Sequence, residues 1–200
     1  MPDYHYLIPK QQQGHEKNLE YIMPCDSIEE AEDSFVDAKE RLMDVNNWNK
    51  YSGIDGLEFR LSDHHGKTVS RHARKGDHIR IEVSATGQEG RSEDMDWVAI
   101  EAIEYDDYPD QGMETFGMRL HTCMNPENKQ NCDAPYSLSD DATSTFVILR
   151  WGSKLIVTYH GRNEPINQAN LPDDQTSLGL SDLQWSSLVS GIAESGLVRR

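Results

Sequence analysis

The 200-residue sequence predicts an α+β fold with a curved antiparallel sheet of about six or seven strands. Along the chain, one amphipathic helix precedes most of the strands and a second follows them. Three observations support this prediction. Apolar residues recur every three or four positions between residues 28 and 45, and again after residue 181, as on one face of a helix. Between residues 57 and 160 they alternate with polar residues, as in strands with one buried face. At the end of that region, two apolar runs flank Gly152-Ser153, which predicts a β-hairpin over residues 142–160.

The first 26 residues are mostly polar. Residues 4–8 alternate in the manner of a short edge strand, whereas Gln11-Gln12-Gln13-Gly14 is not expected to hold regular structure. A helix is predicted to begin after Ser27, because Ser27-Ile28-Glu29-Glu30 is a capping box that satisfies free backbone amides. Its predicted apolar stripe comprises Ile28, Ala31, Phe35, Ala38, Leu42 and Val45. Residues 46–53 are expected to end the helix, since Asn and Gly favour helix termini.

Four strands are predicted before the hairpin, over residues 57–61, 79–83, 97–105 and 118–124. The alternation in the third strand breaks between Ile100 and Ile103, which predicts a β-bulge or a bend near Glu101. Polar connections are predicted at 85–96, 106–115, 125–141 and 161–180. The two longest exceed the usual length of structureless loops, so binding loops and surface insertions are both open interpretations.

The hairpin register follows from its turn, because a two-residue connection pairs Trp151 with Lys154 and, further back, Phe146 with Tyr159. The hairpin face predicted to be buried comprises Phe146, Ile148, Leu155, Val157 and Tyr159, with Arg150 at the tip. Ser181-Asp182-Leu183-Gln184 is a second capping box that predicts the start of the last helix. The apolar face of that helix is predicted to comprise Leu183, Trp185, Leu188, Val189, Ile192 and Leu197.

This order of elements resembles the helix-grip superfamily of START-like lipid-transfer domains, birch-pollen-allergen-type proteins and polyketide cyclases. The local match begins at residues 38–51, where the aromatic residue Trp48 follows the first helix. Shorter segments, 96–101, 142–146 and 160–164, resemble an uncharacterised bacterial branch. The resemblance implies a polar segment over residues 1–26 that supplies the first strand, and one domain over residues 27–198. In that domain a curved sheet grips a long C-terminal helix and leaves a cavity between them, commonly for an apolar ligand.

The resemblance implies a ligand site on the inward faces of the strands and on the last helix. The predicted ligand-binding residues are Phe59, Ile81, Ile100, Met118, Leu120, Ile148, Arg150, Tyr159 and Trp185. Arg150 and Tyr159 are the polar groups that could orient a ligand in this otherwise apolar set. The same residues could instead build a filled core, since protein interiors are close-packed. Both alternatives are open at this point.

No catalytic residue is predicted, because the sequence lacks a nucleophile motif and a phosphate-binding glycine loop. Glu101 and Glu104 could supply one inward carboxylate, although a bend that turns both to solvent is favoured because unpaired carboxylates are rarely buried. Four histidines, His64, His65, His72 and His78, have the chemistry of metal ligands. Lysines and arginines lie among the first three and would repel a cation, so neither a metal site nor a cofactor is predicted.

The formal net charge of −16 opposes binding to nucleic acid and to anionic membranes. No apolar run reaches the ~18 residues of a membrane span, so stable membrane insertion is not predicted. The three cysteines, Cys25, Cys123 and Cys132, are widely spaced and are expected to be reduced thiols. Because no signal-peptide pattern opens the sequence, the predicted location is cytoplasmic. The oligomeric state is left open.

Three functions are compatible with these observations. The leading hypothesis is noncatalytic binding or carriage of a small apolar molecule in a cavity between the sheet and the C-terminal helix. The second is an enzyme of cyclase or hydratase type, which the superfamily and the carboxylates near the bulge motivate. The third is an acidic protein-interaction module that uses the charged surface and the long loops.

Overall fold

The computed structural model describes residues 4–83, 96–126, 142–164 and 182–194. Its strands are β1 (His15–Pro24), β2 (Leu57–Ser62), β3 (His78–Val83), β4 (Asp96–Tyr108), β5 (Met113–Cys123), β6 (Thr143–Trp151) and β7 (Lys154–Glu164). They form one curled antiparallel sheet in the order β1-β7-β6-β5-β4-β3-β2. The helices are α1 (Ile28–Met43), α2 (Trp48–Ser52) and α3 (Asp182–Ala193). This arrangement confirms the predicted α+β class, with a curved sheet and a C-terminal helix.

The hairpin of β6 and β7 has the predicted register. Trp151 pairs with Lys154, and Phe146 pairs with Tyr159. Gly152 occupies the turn with a φ of 57°, a left-handed conformation that glycine adopts without steric cost. The predicted inward face of the hairpin is buried along its length, including Arg150 at the tip. Local sequence was sufficient here because a tight turn determines the pairing of both strands.

The predicted bulge in β4 is confirmed by a register shift between Ile100 and Ala102. The connection predicted at 106–115 is wrong, because β4 continues to Tyr108 and β5 begins at Met113. The two strand ends pair directly with each other. Only a short 3-10 turn, Pro109–Gln111, and Gly112 separate them. The bulge explains the difference. After it, the residues of β4 that face inward and outward exchange positions, so the alternation that continues to Tyr108 is not recognised in the sequence.

The edge strand expected within the first 26 residues is present, but its predicted position at 4–8 is wrong. Tyr4–Leu7 is a 3-10 helix, and the strand is β1, which pairs with β7. The inward residues Leu19, Tyr21 and Met23 pack against the core. The alternation of β1 is weak in the sequence, since an edge strand has one solvated face and few buried positions.

Residues 6–14, which we call the N-terminal strap, cross the outer face of the sheet. The Tyr6 hydroxyl donates a hydrogen bond to Asp106 of β4 at 2.6 Å. Leu7 is buried against Gly117 of β5, where a Cβ atom would lie 2.1 Å from the Leu7 side chain. The other end of the strap meets β7, where the Gln12 amide donates to the side chain of Asn163 at 2.8 Å. The strap therefore links β4 and β5 to β7, which is paired with the edge strand β1.

The capping box of α1 is confirmed. The Ser27 hydroxyl accepts a hydrogen bond from the Glu30 amide, and the Glu30 carboxylate accepts one from the Asp26 amide. The predicted stripe is wrong at one position, because Ile28 is exposed. The buried stripe starts only at Ala31, and α1 packs on β6 and β7 through it. The chain then turns through α2, which ends at Gly53 with a φ of 64°.

Helix α3 packs against α2, β1 and β7 with the predicted residues Trp185, Leu188, Val189 and Ile192 buried. Leu183 was predicted on this face and is 75 % exposed. It precedes Trp185 by two residues, which corresponds to about 200° around a helix and turns it away from the core. Ser181 of the second capping box and Leu197 lie outside the described residues. In the described part of the chain, none of the helices has the length and apolar character to cross a membrane.

Candidate functional site

Five aromatic side chains of the sheet, α2 and α3 form a continuous series of ring contacts in the interior. Tyr159 of β7 stacks on Trp185 of α3 with ring centroids 4.4 Å apart. Phe146 of β6 lies 5.3 Å from Tyr159 and 5.5 Å from Trp48 of α2. Trp48 in turn contacts Phe59 of β2 at 5.2 Å, edge to face. We call these five residues the interior aromatic cluster, and such edge and offset geometries are the favourable ones for aromatic rings.

The structure brings together eight of the nine predicted ligand-binding residues. Phe59, Ile81, Ile100, Met118, Leu120, Ile148, Tyr159 and Trp185 belong to one buried hydrophobic cluster. Their side chains pack together in this cluster as those of a filled core do. Their role in ligand binding stays a prediction.

Arg150, the ninth predicted residue, is buried at the tip of the hairpin and is paired there. Its Nε and Nη2 atoms lie 2.8 and 2.6 Å from Glu114 Oε1 on β5. A second carboxylate, Glu32 of α1, lies 3.9 Å from Nη2. The two predicted polar groups are therefore not brought together, because Arg150 lies beside the turn and Tyr159 lies further along β7.

A polar cluster surrounds the Tyr159 hydroxyl at the inner side of the sheet. Ser144 Oγ lies 2.9 Å from Tyr159 Oη, and the Glu164 carboxyl faces the same inward side of the sheet beside Gly161. All three side chains are buried, with Glu164 only 5 % exposed. Burial, and then the charge of Glu164, hold the pKa of Tyr159 well above its usual value. We call Ser144, Tyr159 and Glu164 the inner polar cluster; its phenol is a neutral hydrogen-bonding group at physiological pH.

An unusual backbone conformation at Asn163 precedes the inward carboxyl of Glu164. Strict alternation from the inward residue Tyr159 would turn position 164 outward. Among the described residues, Asn163 is the only non-glycine residue with a positive φ, at 56°. A built Cβ atom on Gly161 would lie 3.0 Å from Glu164 Oε1 and 3.4 Å from Tyr159 Oη, which places the carboxyl on the inward side.

The N-terminal strap holds Asn163 in this conformation. Asn163 Oδ1 accepts hydrogen bonds from the amides of Gln12 and Gln13 at 2.8 and 3.3 Å, and the Asn163 amide donates to Gln11 Oε1 at 2.9 Å. Gly14 passes so close that a Cβ atom there would lie 2.0 Å from the Glu164 carbonyl oxygen. The Gln-Gln-Gln-Gly segment, which the sequence presents as irregular, therefore has a defined structural role.

Sequence reasoning missed two members of the inner polar cluster. Ser144 alternates in phase with Phe146 and Ile148, so its inward position was available from the hairpin register. Glu164 carried no such signal, because the left-handed residue before it reverses the phase of the strand. The missing information is a backbone dihedral angle, which amino-acid alternation does not record.

The other candidate groups from the sequence lie at the surface. Glu101 and Glu104 are both exposed, and Glu101 accepts a hydrogen bond from Arg119 at 2.8 Å, which confirms the favoured solvent-facing alternative. His72 Nε2 lies 3.4 Å from Glu40 on α1. In the described ranges, no group of three or more His, Cys, Asp or Glu side chains is arranged to hold a metal ion.

Cys123 is expected to resist alkylation in the folded protein. Burial raises the pKa of its thiol to about 12, so at pH 8 only about one molecule in ten thousand carries the reactive thiolate. We expect iodoacetamide to leave Cys123 unmodified in native protein and to label it after unfolding in urea, as measured by peptide mass spectrometry. Cys123 is only half-buried, so equal labelling rates in the two states would contradict the raised pKa of its thiol.

Comparisons with known proteins concern the fold. No protein-family model and no curated protein matches the sequence. Similar solved structures include two crystal forms of ginseng major latex-like protein 151 from Panax ginseng, with 8 % and 11 % identity and TM-scores of 0.39 and 0.41. Each match covers 90 % of this chain and 93 % of that protein. Ara h 8.0201 has 13 % identity and a TM-score of 0.39, over 90 % of this chain and 96 % of its own.

Proposed function

We propose that this chain binds or carries a small, largely apolar molecule between its sheet and α3. One observation carries the proposal: the inner polar cluster lies inside an apolar interior, beside the interior aromatic cluster. Ligand sites combine an apolar wall with a few placed polar groups that orient the bound molecule.

The position of the inner polar cluster supports the same function. Antiparallel topology brings Val83, Cys123 and Glu164, the last residues of β3, β5 and β7, to one end of the sheet. Glu164 places the inner polar cluster at this end of the sheet, and the ends of strands are commonly where a fold carries its binding residues. We include the eight clustered residues in the proposed wall. Arg150 is left out because it is paired with Glu114 at the opposite end of the hairpin.

The proposal includes membership of the helix-grip superfamily. The order of helices and strands, the curled sheet and the packing of α3 on it support this assignment. Membership of a bacterial branch and a cytoplasmic location are carried as predictions from the sequence alone.

Native mass spectrometry after incubation with a cell lipid extract tests the proposed function. We expect the protein to retain a small molecule through gel filtration, and Tyr159→Phe to lower its occupancy about fivefold, as expected for the loss of one hydrogen bond. Tyr105→Phe is the matched control, because Tyr105 is half-exposed near Glu114, away from the inner polar cluster. A wild-type protein that retains nothing, or a control that loses as much as Tyr159→Phe, would contradict the proposal.

An acid–base enzyme of cyclase or hydratase type is the second candidate function. The observation that favours it is the placement of the buried Glu164 carboxyl and the Tyr159 hydroxyl on the same inward side of the sheet, beside Gly161. A carboxyl and a hydroxyl so placed can transfer protons to a bound molecule. The same experiment separates the two candidates. Chemical alteration of the retained molecule by the wild type, and its absence in Glu164→Gln, would favour the enzyme, whereas an unaltered molecule favours a carrier.

A further inference from the structure

We infer that the outer face of the sheet carries a second binding site, in which Thr143 and Thr145 of β6 bind a phosphate group beneath the N-terminal strap. Two arginines on the neighbouring strands, Arg119 of β5 and Arg162 of β7, supply the positive charge. This site lies on the face opposite the inner polar cluster, so it is independent of the proposed function.

Thr143 and Thr145 are buried residues whose hydroxyls have no hydrogen-bond partner among the described residues. Both occupy outward positions of β6, since they alternate with the inward residues Ser144 and Phe146. Thr145 has no exposed surface, and Thr143 is 7 % exposed. Because leaving a buried hydroxyl unpaired is costly, these two groups are suited to a bound acceptor.

Basic residues stand beside the two threonines on both neighbouring strands. The residues that pair with the threonines across the sheet are Arg119 and His121 on β5 and His160 and Arg162 on β7. Neighbouring strands lie about 4.8 Å apart, so side chains of β5 and β7 can reach one group bound on β6. The whole chain is strongly acidic, with a net charge of −16, and this local concentration of basic groups therefore distinguishes one part of the outer face.

Arg162 has no carboxylate within ion-pair distance among the described residues. Its Nη1 atom donates to the carbonyl oxygens of Gly161 and Lys17 at 2.8 and 3.3 Å, and its Nη2 atom donates to Asn18 Oδ1 at 2.8 Å. All three acceptors are neutral, and they hold the guanidinium group on the outer face. An arginine forms charge-assisted hydrogen bonds with phosphate in a geometry that matches the two groups.

Arg119 connects the site to the N-terminal strap. Its Nε atom donates to Glu101 at 2.8 Å, and its Nη1 atom donates to the Leu7 carbonyl oxygen at 3.2 Å. From Leu7 the strap runs to Gln12, whose amide donates to the side chain of Asn163 on β7. Between these two points the strap passes from β5 to β7, so it crosses β6 at the two threonines. The site is therefore enclosed, and a ligand enters it when the strap lifts.

The spacing of the two threonines favours a phosphate group over a single water molecule. Side chains two residues apart on one face of a strand are separated by about 6.6 Å. One oxygen atom that hydrogen-bonds to both hydroxyls spans at most about 5.4 Å, whereas the separate oxygens of a tetrahedral phosphate span more. The negative charge elsewhere on the chain opposes binding only weakly, since physiological salt screens charges beyond about 8 Å.

Isothermal titration calorimetry at pH 7, with sodium phosphate and with sodium chloride of equal ionic strength, tests the inference. We expect the wild type to bind phosphate saturably and to give no comparable heat with chloride. Thr145→Val should weaken phosphate binding about tenfold, as expected for the loss of one hydrogen bond to a charged group. Arg162→Gln removes a positive charge and should weaken binding at least as much.

Thr115→Val is the matched control for the loss of a hydroxyl. Thr115 is also buried and outward, but it lies four residues from Arg119 along β5. This variant should bind phosphate as the wild type does. If Thr115→Val weakens binding as much as Thr145→Val, the assignment to the two threonines of β6 is overturned.

Two further measurements separate binding from folding. Without phosphate, Thr145→Val is expected to melt at or above the wild-type temperature, because it removes a buried hydroxyl that lacks a partner. In the wild type, phosphate should slow amide hydrogen exchange in strap residues 10–13, since a ligand beneath the strap stabilises its closed position. Exchange that phosphate leaves unchanged would overturn the enclosure of the site by the strap.

Cosedimentation with phosphatidylcholine vesicles that contain phosphatidic acid distinguishes the sources of the phosphate group. Vesicle binding that Thr145→Val abolishes supports the site with a lipid headgroup as its ligand, and binding of inorganic phosphate alone supports it with a free phosphate. Equal binding by wild type and Thr145→Val, an equal response to chloride, or no binding in either assay would overturn the inference. None of these results bears on the proposed function.

Discussion

Trp185→Ala is expected to lower the free energy of unfolding by about 3–5 kcal/mol, the usual cost of truncating a buried tryptophan. Trp185 has no exposed surface, stacks on Tyr159 and lies 5.8 Å from the Phe146 ring centroid. The substitution removes one wall of the interior aromatic cluster and leaves space that neighbouring rings cannot fill without leaving their rotamers. Urea denaturation followed by circular dichroism measures the effect.

Trp151→Ala is the matched control for this variant, since it truncates the same residue type on the adjacent hairpin. Trp151 is 53 % exposed, so the expected change in unfolding free energy is within about 0.5 kcal/mol. Similar losses in the two variants would show that α3 is not tightly packed on the sheet. The geometry of the proposed site would then need revision.

Gly191→Ala is expected to destabilise the fold by about 2–3 kcal/mol through overpacking, although alanine is the better helix former by about 1 kcal/mol. A Cβ atom at this position would lie 2.0 Å from the Tyr51 carbonyl oxygen and 2.5 Å from its carbon. These are backbone atoms of α2, so no side-chain rotation can relieve the contact. The midpoint of urea denaturation measures the shift.

Ser186→Ala tests the helix-propensity part of this argument separately. Ser186 is exposed on the same helix, and its replacement should leave the protein unchanged or stabilise it by up to about 0.5 kcal/mol. If Gly191→Ala were as stable as Ser186→Ala, then α3 would not approach α2 as closely as described. Helix α3 would then pack more loosely, with more room between the helix and the sheet.

Both variants bear on function because α3 forms one side of the proposed site. Trp185→Ala empties part of the interior, and Gly191→Ala pushes the helix away from α2. A ligand between α3 and the sheet would be sensitive to both changes. Ligand retention should therefore fall in each variant, and the control substitutions Trp151→Ala and Ser186→Ala should leave it unchanged.

Much of the fold could be predicted because its signals are local. The capping residue Ser27 and the following acidic turn define the start of α1, and Gly152-Ser153 defines the hairpin register. Alternation identified the inward faces of four further strands and the bulge at Glu101. These patterns depend on neighbouring residues and on the periods of the helix and the strand, which the chain carries in its order of residues.

The same local reasoning failed where burial is one-sided or the phase is reversed. In β1 only three residues face the core, and residues 4–8 imitate a strand better than the real one does. In α3 the apolar Leu183 lies off the buried stripe. Beyond the bulge the alternation of β4 changes faces, so that its continuation to Tyr108 was missed.

By itself, the sequence determined the α+β class, the hairpin, the capped start of α1 and the residues of the apolar interior. Only the tertiary structure decided that Arg150 and Tyr159 lie apart, that the strap crosses the sheet, and that Glu164 turns inward beside Tyr159. The physical reason is distance along the chain. Hydrogen bonds between residues about 150 positions apart hold the left-handed backbone of Asn163, and no local pattern of side chains encodes a contact of that kind.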